Sequence, residues 1–266
     1  MITFILGETG AGKTAFATFL LKTKYIKEGK KIWRKSCDLI EEQNKKLGTN
    51  YSLPEQIPFY TNFHVKLHVG YKRYYEPYYF NPYYFGVSNE VMATEFAALG
   101  GVLVFDEAQR IFNSRKSASF ADFVSYAFEI HRQGHYDIIL IAQRGKLLDC
   151  NIRDLGVHVI EIAGMENEKG EAGHILRSVW KCREFDCWSD AEKNFTNGEK
   201  TYHEKEYVNS GNIFESFDSY ERVKEFLPPE GLDFDYIRHG VIENLTARQK
   251  EFYKPGEPKG YRSGSK

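Results

Sequence analysis

Residues 7–14 read Gly-Glu-Thr-Gly-Ala-Gly-Lys-Thr and match G-x-x-x-x-G-K-[ST] in full. No other feature limits the fold of this chain as much. Ile2–Leu6 before the motif is a short run of β-formers. After it, Phe16, Phe19, Leu20 and Ile26 fall at helical spacing. A glycine-rich turn between strand and helix lets successive backbone N–H groups converge on phosphate without Cβ clashes. The helix behind it points its positive end at the same charge. The context therefore predicts a nucleoside-triphosphate site formed by Gly7, Glu8, Thr9, Gly10, Ala11, Gly12, Lys13 and Thr14. Lys13 is expected to bridge the β- and γ-phosphates, and the Thr14 hydroxyl to take one position on Mg²⁺. ATP and Mg²⁺ are the expected cofactors.

Such a loop needs a second carboxylate at the C-terminal end of a buried strand. Val102–Phe105 is an apolar run that ends in Asp106-Glu107. Asp106 is the candidate metal ligand with Thr14, and Glu107 the candidate base for an attacking water. The next apolar run, Ile138–Ala142, ends in Gln143. In P-loop proteins with an additional strand and a catalytic glutamate (the ASCE class), that strand lies between the phosphate-loop and Asp-Glu strands. Gln143 is then a candidate to sense the γ-phosphate or orient the water, against an ordinary glutamine at a strand end. Arg110, Arg132, Arg144 and Arg153 are candidates for an arginine finger reaching a neighbouring subunit, with Arg132 placed first. Arg132 at a helix end is equally accounted for by the helix dipole.

Strands alternating with helices predict an α/β fold: a P-loop NTPase with a mostly parallel central sheet and helices on both faces. Helices are expected from Lys13 to about Lys27, stopped by Gly29, then over Arg34–Leu47, Ser88–Leu99 and Phe120–Ile130. Leu147–Leu155 suggests one more short helix, Ile57–Phe63 a strand and Val157–Ile162 a fourth buried strand. Ile175–Cys182 reads as a strand returning antiparallel, and Ile213–Phe226 as a helix. The expected organisation is an ATPase core over residues 1–165 with an aromatic insertion at 71–87. An extension at 166–253 packs on the core, and a Gly/Lys/Pro-rich tail follows at 254–266.

The order of the motifs carries a family resemblance. Asp106-Glu-Ala-Gln-Arg-Ile-Phe, then His131-Arg132, then Asp137-Ile-Ile-Leu-Ile-Ala-Gln143 is similar to the zonula occludens toxin (Zot) family. Thr61-Asn62 after an apolar strand, Asn151-Ile-Arg-Asp-Leu and Phe214–Tyr220 also fit it, so the resemblance spans roughly residues 1–220. These are ATPases of filamentous-phage assembly, near the FtsK/HerA motors. The resemblance implies an oligomeric motor, a ring such as a hexamer, that moves viral or mobile-element DNA with viral assembly or membrane proteins as partners. Filamentous-phage relatives carry a membrane span after the ATPase domain. No run here approaches the ~20 apolar residues a span requires, so a cytoplasmic protein is expected, reaching a membrane through a partner. That departure leaves room for a genome-packaging ATPase.

Composition narrows the partners. A formal net charge of −1 excludes global attraction to nucleic acid, so any phosphate contact must be local. Seven cations between Lys22 and Lys35, interrupted only by Glu28, could follow a DNA backbone or form a solvated helix end. Tyr71–Phe85, with aromatics in most positions, could stack on bases or pack on itself. Four scattered cysteines point to a reducing compartment. Two other function classes compete with a motor: an ATPase switch or scaffold acting through a protein partner, and a nucleotide kinase. The Asp-Glu pair disfavours the kinase, which needs no water-activating base.

Overall fold

An uninterrupted apolar strand must be covered on both faces, and a parallel sheet between two helical layers does this. Ile2–Leu6 (β1) is buried over its whole length. Its side chains alternate between two cores. Phe4 packs with Phe105, Leu140 and Trp188 on one face, and Ile5 with Phe16, Ile141 and Trp180 on the other. The computed structural model describes residues 1–70, 73–79, 101–113, 128–133, 135–171, 173–217, 253–254 and 257–258.

Among the described residues up to Phe217, the remaining strands are β2 (Phe59–Thr61), β3 (Leu67–Gly70), β4 (Arg73–Tyr75), β5 (Tyr78–Tyr79) and β6 (Gly101–Phe105). They continue with β7 (Tyr136–Ala142), β8 (His158–Lys169), β9 (Ile175–Phe185) and β10 (His203–Ser210). An eight-stranded sheet runs in the order β10-β9-β8-β1-β7-β6-β2-β5. Pairs from β8 across to β5 are parallel, while β8–β9 and β9–β10 are antiparallel. This is the expected sheet with an antiparallel extension, and β7 lies between the phosphate-loop strand and the Asp-Glu strand as the class requires. Residue 165 lies inside β8, so the extension grows from a strand of the core. Residues Met1–Asp218 form one compact unit and Ser219–Lys266 another.

Among the described residues the α-helices are α1 (Lys13–Leu20), α2 (Ile26–Leu47), α3 (Ala108–Ile111), α4 (Cys150–Asp154) and α5 (Trp188–Asn197). A π-helical turn, Leu21–Tyr25, joins α1 to α2, so the chain stays helical from Lys13 to Leu47. The stop expected at Gly29 is therefore wrong. Gly29 is buried in mid-helix, where an added Cβ would lie 2.3 Å from Ile57 Cδ1. Close approach of the chain before β2, not termination, is what the glycine permits. Gly48, in the left-handed conformation, ends the helix. The helix expected over Ile213–Phe226 also fails at its start. Ile213–Ser216 is a single 3₁₀ turn, and Phe217 is extended and bridges Val65.

Two tyrosines of the aromatic stretch pack on their own fold. Tyr75 meets Phe59 edge-on at 5.4 Å, and Tyr78 stacks on Tyr60 at 5.4 Å. The helix expected over Ser88–Leu99, the stretch beyond Tyr79 and most of the Phe120–Ile130 helix lie outside the described residues. Among the described residues, no helix is long and apolar enough to cross a membrane.

Candidate nucleotide site

The phosphate loop leaves the C-terminal end of β1 and enters α1 at Lys13. Gly12 immediately precedes the helix at φ 77°, a left-handed conformation that costs other residues about 1–2 kcal/mol. A Cβ there would also sit 2.4 Å from Met165 Sδ. Gly7 is buried at the base of the loop, while Glu8, Thr9 and Gly10 are exposed at its crest. Ala11 N donates to Glu8 O at 3.2 Å, closing the turn. This backbone leaves the crest open to a ligand from above.

Lys13 is 9% exposed, and its Nζ donates to Gly7 O at 3.0 Å and Glu8 O at 2.7 Å. The ammonium is thereby held inside the loop it must serve. Burial pulls its pKa below the ordinary lysine range, with the Glu107 and Asp106 carboxylates opposing that shift. A phosphate arriving here would add an anion in direct contact with the buried ammonium.

Asp106 and Glu107 follow β6, as the sequence predicts. Thr14 Oγ1 donates to Asp106 Oδ2 at 3.0 Å, so residues 92 positions apart meet at one point. A hydroxyl and a carboxylate at that separation are hard oxygen donors suited to Mg²⁺, which is usually held by one or two carboxylates together with the substrate's phosphates. The residues present thus fit the expected ion.

Asn62 and Gln109 were missed as site residues by sequence reasoning. Asn62, 4% exposed at the end of β2, grips the Asp106 backbone from both sides. Its Nδ2 donates to Asp106 O at 2.9 Å and its Oδ1 accepts from Asp106 N at 2.7 Å. The available signal was a polar residue directly after an apolar strand, the same pattern that singled out Gln143. Gln109 Nε2 donates to Glu107 Oε2. Glu107 itself is in the left-handed conformation at φ 53°, uncommon for a residue with a side chain. Its N–H donates to Asp106 Oδ1 at 2.8 Å, and Arg110 Nε lies 3.9 Å from Oε2. A strained backbone with several fixed partners is the usual signature of a positioned functional group.

Gln143 is exposed at the tip of β7, between the other two strand ends. Together with Arg144, Gly7, Glu8, Thr9 and Phe195 it lines a cavity of about 580 Å³ beside the loop, within the range of small-ligand sites. Arg110 and Arg144 lie at this end of the sheet. Arg153 is occupied elsewhere, over the Trp188 ring at 5.2 Å and 4.0 Å from Glu192. Arg132 is not brought to the site. It precedes β7, whereas the phosphate loop follows β1, and these strands are parallel. The length of β7, about 20 Å at ~3.3 Å per residue, separates Arg132 from the nucleotide end of its own subunit.

Comparison with known proteins bears on the same residues. Residues 86–205 match the model of the zonular occludens toxin (Zot) family, a span that includes Asp106, Glu107 and Gln143 but begins after the phosphate loop. No curated protein sequence matches. Among solved structures, the N-terminal domain of zonular occludens toxin from Neisseria meningitidis is similar at 17% identity and a TM-score of 0.49. That match covers 82% of this chain and 98% of that one. The genome-packaging NTPase B204 of Sulfolobus turreted icosahedral virus 2, in complex with ATP-γS, is similar at 12% identity and a TM-score of 0.37, covering 79% and 96%. A KaiC-like protein from Pyrococcus horikoshii follows at 16% and 0.33, covering 78% and 84%. The sheet order, the phosphate loop and the family match together identify the chain as a P-loop NTPase similar to the Zot family, whose model lies on residues 86–205.

Proposed function

We propose that the chain hydrolyses ATP and uses the energy to move viral or mobile-element DNA during assembly, extrusion or packaging. The observation that carries the reading is the 3.0 Å contact between Thr14 and Asp106, with Glu107 next in the chain. It joins a phosphate-binding half and a water-activating half in one place. Lys13 neutralises charge on the β- and γ-phosphates. Thr14 and Asp106 hold Mg²⁺, which when bound draws charge from the phosphate oxygens. Glu107 accepts the proton of the attacking water. Its alignment comes from Gln109 and from the Asn62 grip on the preceding residue. Gln143 contacts the γ-phosphate or the water from the tip of the strand between.

Support for a role in virus assembly comes from the Zot-family match, which covers the Asp-Glu strand and its neighbour. The motor reading further implies a homo-oligomeric ring in the cytoplasm, with assembly or membrane proteins as partners. The deciding measurement is the ATPase rate with and without single- and double-stranded DNA, with Glu107→Gln as the inactive control. Stimulation by DNA supports a motor. A Glu107-dependent rate indifferent to both forms of DNA would favour a switch acting through a protein partner.

A further inference from the structure

The Lys22–Lys35 stretch acquires a shape in the structure that its sequence does not show. Lys27, Lys30, Lys31 and Arg34 recur at i, i+3, i+4 and i+7 of α2, which places them on one face. All four are exposed, as are Lys24 and Lys35. Among the described residues, none of the seven cations of this stretch forms an ion pair. Lysines elsewhere do: Lys46 with Glu42, Lys181 with Glu166, Lys193 with Asp190 and Lys205 with Glu184. The unpaired stripe from Lys24 to Lys35 is about 16 Å long at 1.5 Å per residue.

Two lysines of the stripe, Lys31 and Lys35, line a cleft. A cavity of about 270 Å³ runs beside it, with Lys31 and Lys35 on one side and Arg132 and His135 on the other. Arg132 and His135 belong to the turn before β7 and are also exposed without an ion pair among the described residues. Two carboxylates line the cleft as well. Asp137 is paired with the Met1 ammonium at 2.6 Å, which also lines the cleft, and Glu28 is the single acid within the stripe. Lysines outnumber the one acid on the helix wall, and Arg132 faces them from the other.

We infer that this cleft, at the end of the strands opposite the nucleotide, holds the phosphodiester backbone of the DNA being moved. A stripe of unpaired lysines across from an arginine matches a repeating anion, since released counterions drive such contacts. A membrane surface fits less well. Helices that lie in bilayers carry an apolar face beside the cations, whereas Ile40 of α2 is buried against the fold. Trp33, its exposed aromatic, donates its indole N–H to Pro54 O at 2.8 Å. A cleft also receives a ridge better than a plane. On this assignment Arg132, the first candidate for a finger, is a phosphate contact. The inference rests on the proposed DNA-moving function and adds where the DNA lies.

The test measures binding of single- and double-stranded oligonucleotides by the full chain at 50 and 200 mM salt. Lys31→Gln/Lys35→Gln removes one wall, Arg132→Gln the other, and Lys27→Glu/Lys31→Glu/Lys35→Glu inverts the stripe. Each lost phosphate contact should lower the slope of log K against log salt by about 0.9 for duplex and about 0.7 for single strands. The triple variant should bind at least ~10-fold more weakly, with its DNA-independent ATPase rate near wild type. Lys46→Glu/Lys193→Glu, which alters paired lysines, should change binding less than about twofold. The milder glutamine variants keep the test valid if the triple variant folds poorly. Wild-type affinity and slope in all cleft variants would overturn the assignment and leave DNA movement standing. A wild-type chain that turns over ATP yet binds no DNA would remove the functional reading itself. Loss of binding to phosphatidylserine vesicles with DNA binding intact would identify a membrane contact instead and refute the inference.

Discussion

Asn62→Ala should injure the site without touching any group that meets the nucleotide. The side chain is 4% exposed and makes two hydrogen bonds to one backbone unit, 2.9 Å to Asp106 O and 2.7 Å to Asp106 N. Alanine removes both. Each buried polar group deprived of its partner costs about 1–3 kcal/mol, so the variant should lose about 2–6 kcal/mol of stability. That is a large share of the ~5–15 kcal/mol typical of a folded domain. A second effect follows from what Asp106 does. Its carboxylate receives Thr14 Oγ1 at 3.0 Å and Glu107 N at 2.8 Å, so a loosened backbone misplaces the metal ligand and the base together. Losing such an outer partner usually lowers metal affinity ~10- to 100-fold. Half-saturation of the ATPase by Mg²⁺ should therefore move up by at least about tenfold, while urea unfolding reads the stability loss. Asn62→Asp keeps an acceptor for Asp106 N and loses the donor, while placing a carboxylate against the Asp106 carbonyl; it should do no better. Stability within about 0.5 kcal/mol of wild type, together with unchanged Mg²⁺ dependence, would refute the argument.

Other consequences are equally open to measurement. Lys13→Ala should abolish nucleotide binding or turnover, because the loop loses its buried cation, and wild-type turnover would remove the phosphate-loop assignment. Glu107→Gln should bind ATP yet hydrolyse it at least ~100-fold more slowly; an unchanged rate would make Glu107 a bystander. Glu184 bears on acid stability. Burial works against its charge, but hydrogen bonds from His158 and Tyr207 and the Lys205 ammonium prevail and hold its carboxyl at about 2, down from 4.5. The stabilisation is present in full above the unfolded value and is lost as pH falls toward 2. A shift of this size is worth at most about 3 kcal/mol. Denaturant midpoints measured from pH 6 to 2 should fall more steeply for wild type than for Glu184→Gln, and parallel curves would contradict the assignment.

The site was legible where chemistry fixes residue types in a short window. Gly7–Thr14 and Asp106-Glu107 announce themselves because phosphates and a metal demand those groups next to a strand end. Strands β1, β7 and β6 were legible as uninterrupted apolar runs, while their order followed from the P-loop class that the motifs imply. Gly29 misled because a local breaker was overruled by a contact with Ile57, 28 residues later. The Asn62 grip is invisible to any window, its partner being 44 residues away. Arg132 is different, because the sequence held the information. In a parallel sheet a residue just before a strand lies at the end opposite the phosphates, and Arg132 stands four residues before β7.

The five-residue π turn at Leu21–Tyr25 sets the phase between two ends of one rod. A π turn takes up one residue more than an α turn, so all that follows is rotated by about 100° relative to an unbroken α-helix. Upstream, the rod begins at the phosphate loop; downstream, its lysines face solvent and Ile40 faces the fold. Deleting a single residue within 21–25 would remove the surplus, close an ordinary α turn and leave the rod beyond it in phase. An α-helix drawn through all five residues would instead swing Lys27 through Arg34 about a quarter turn around the axis, and Ile40 with them, out of the core. An irregularity of this kind behaves as an indexing pin, holding one extra residue while both ends of the rod keep their facing.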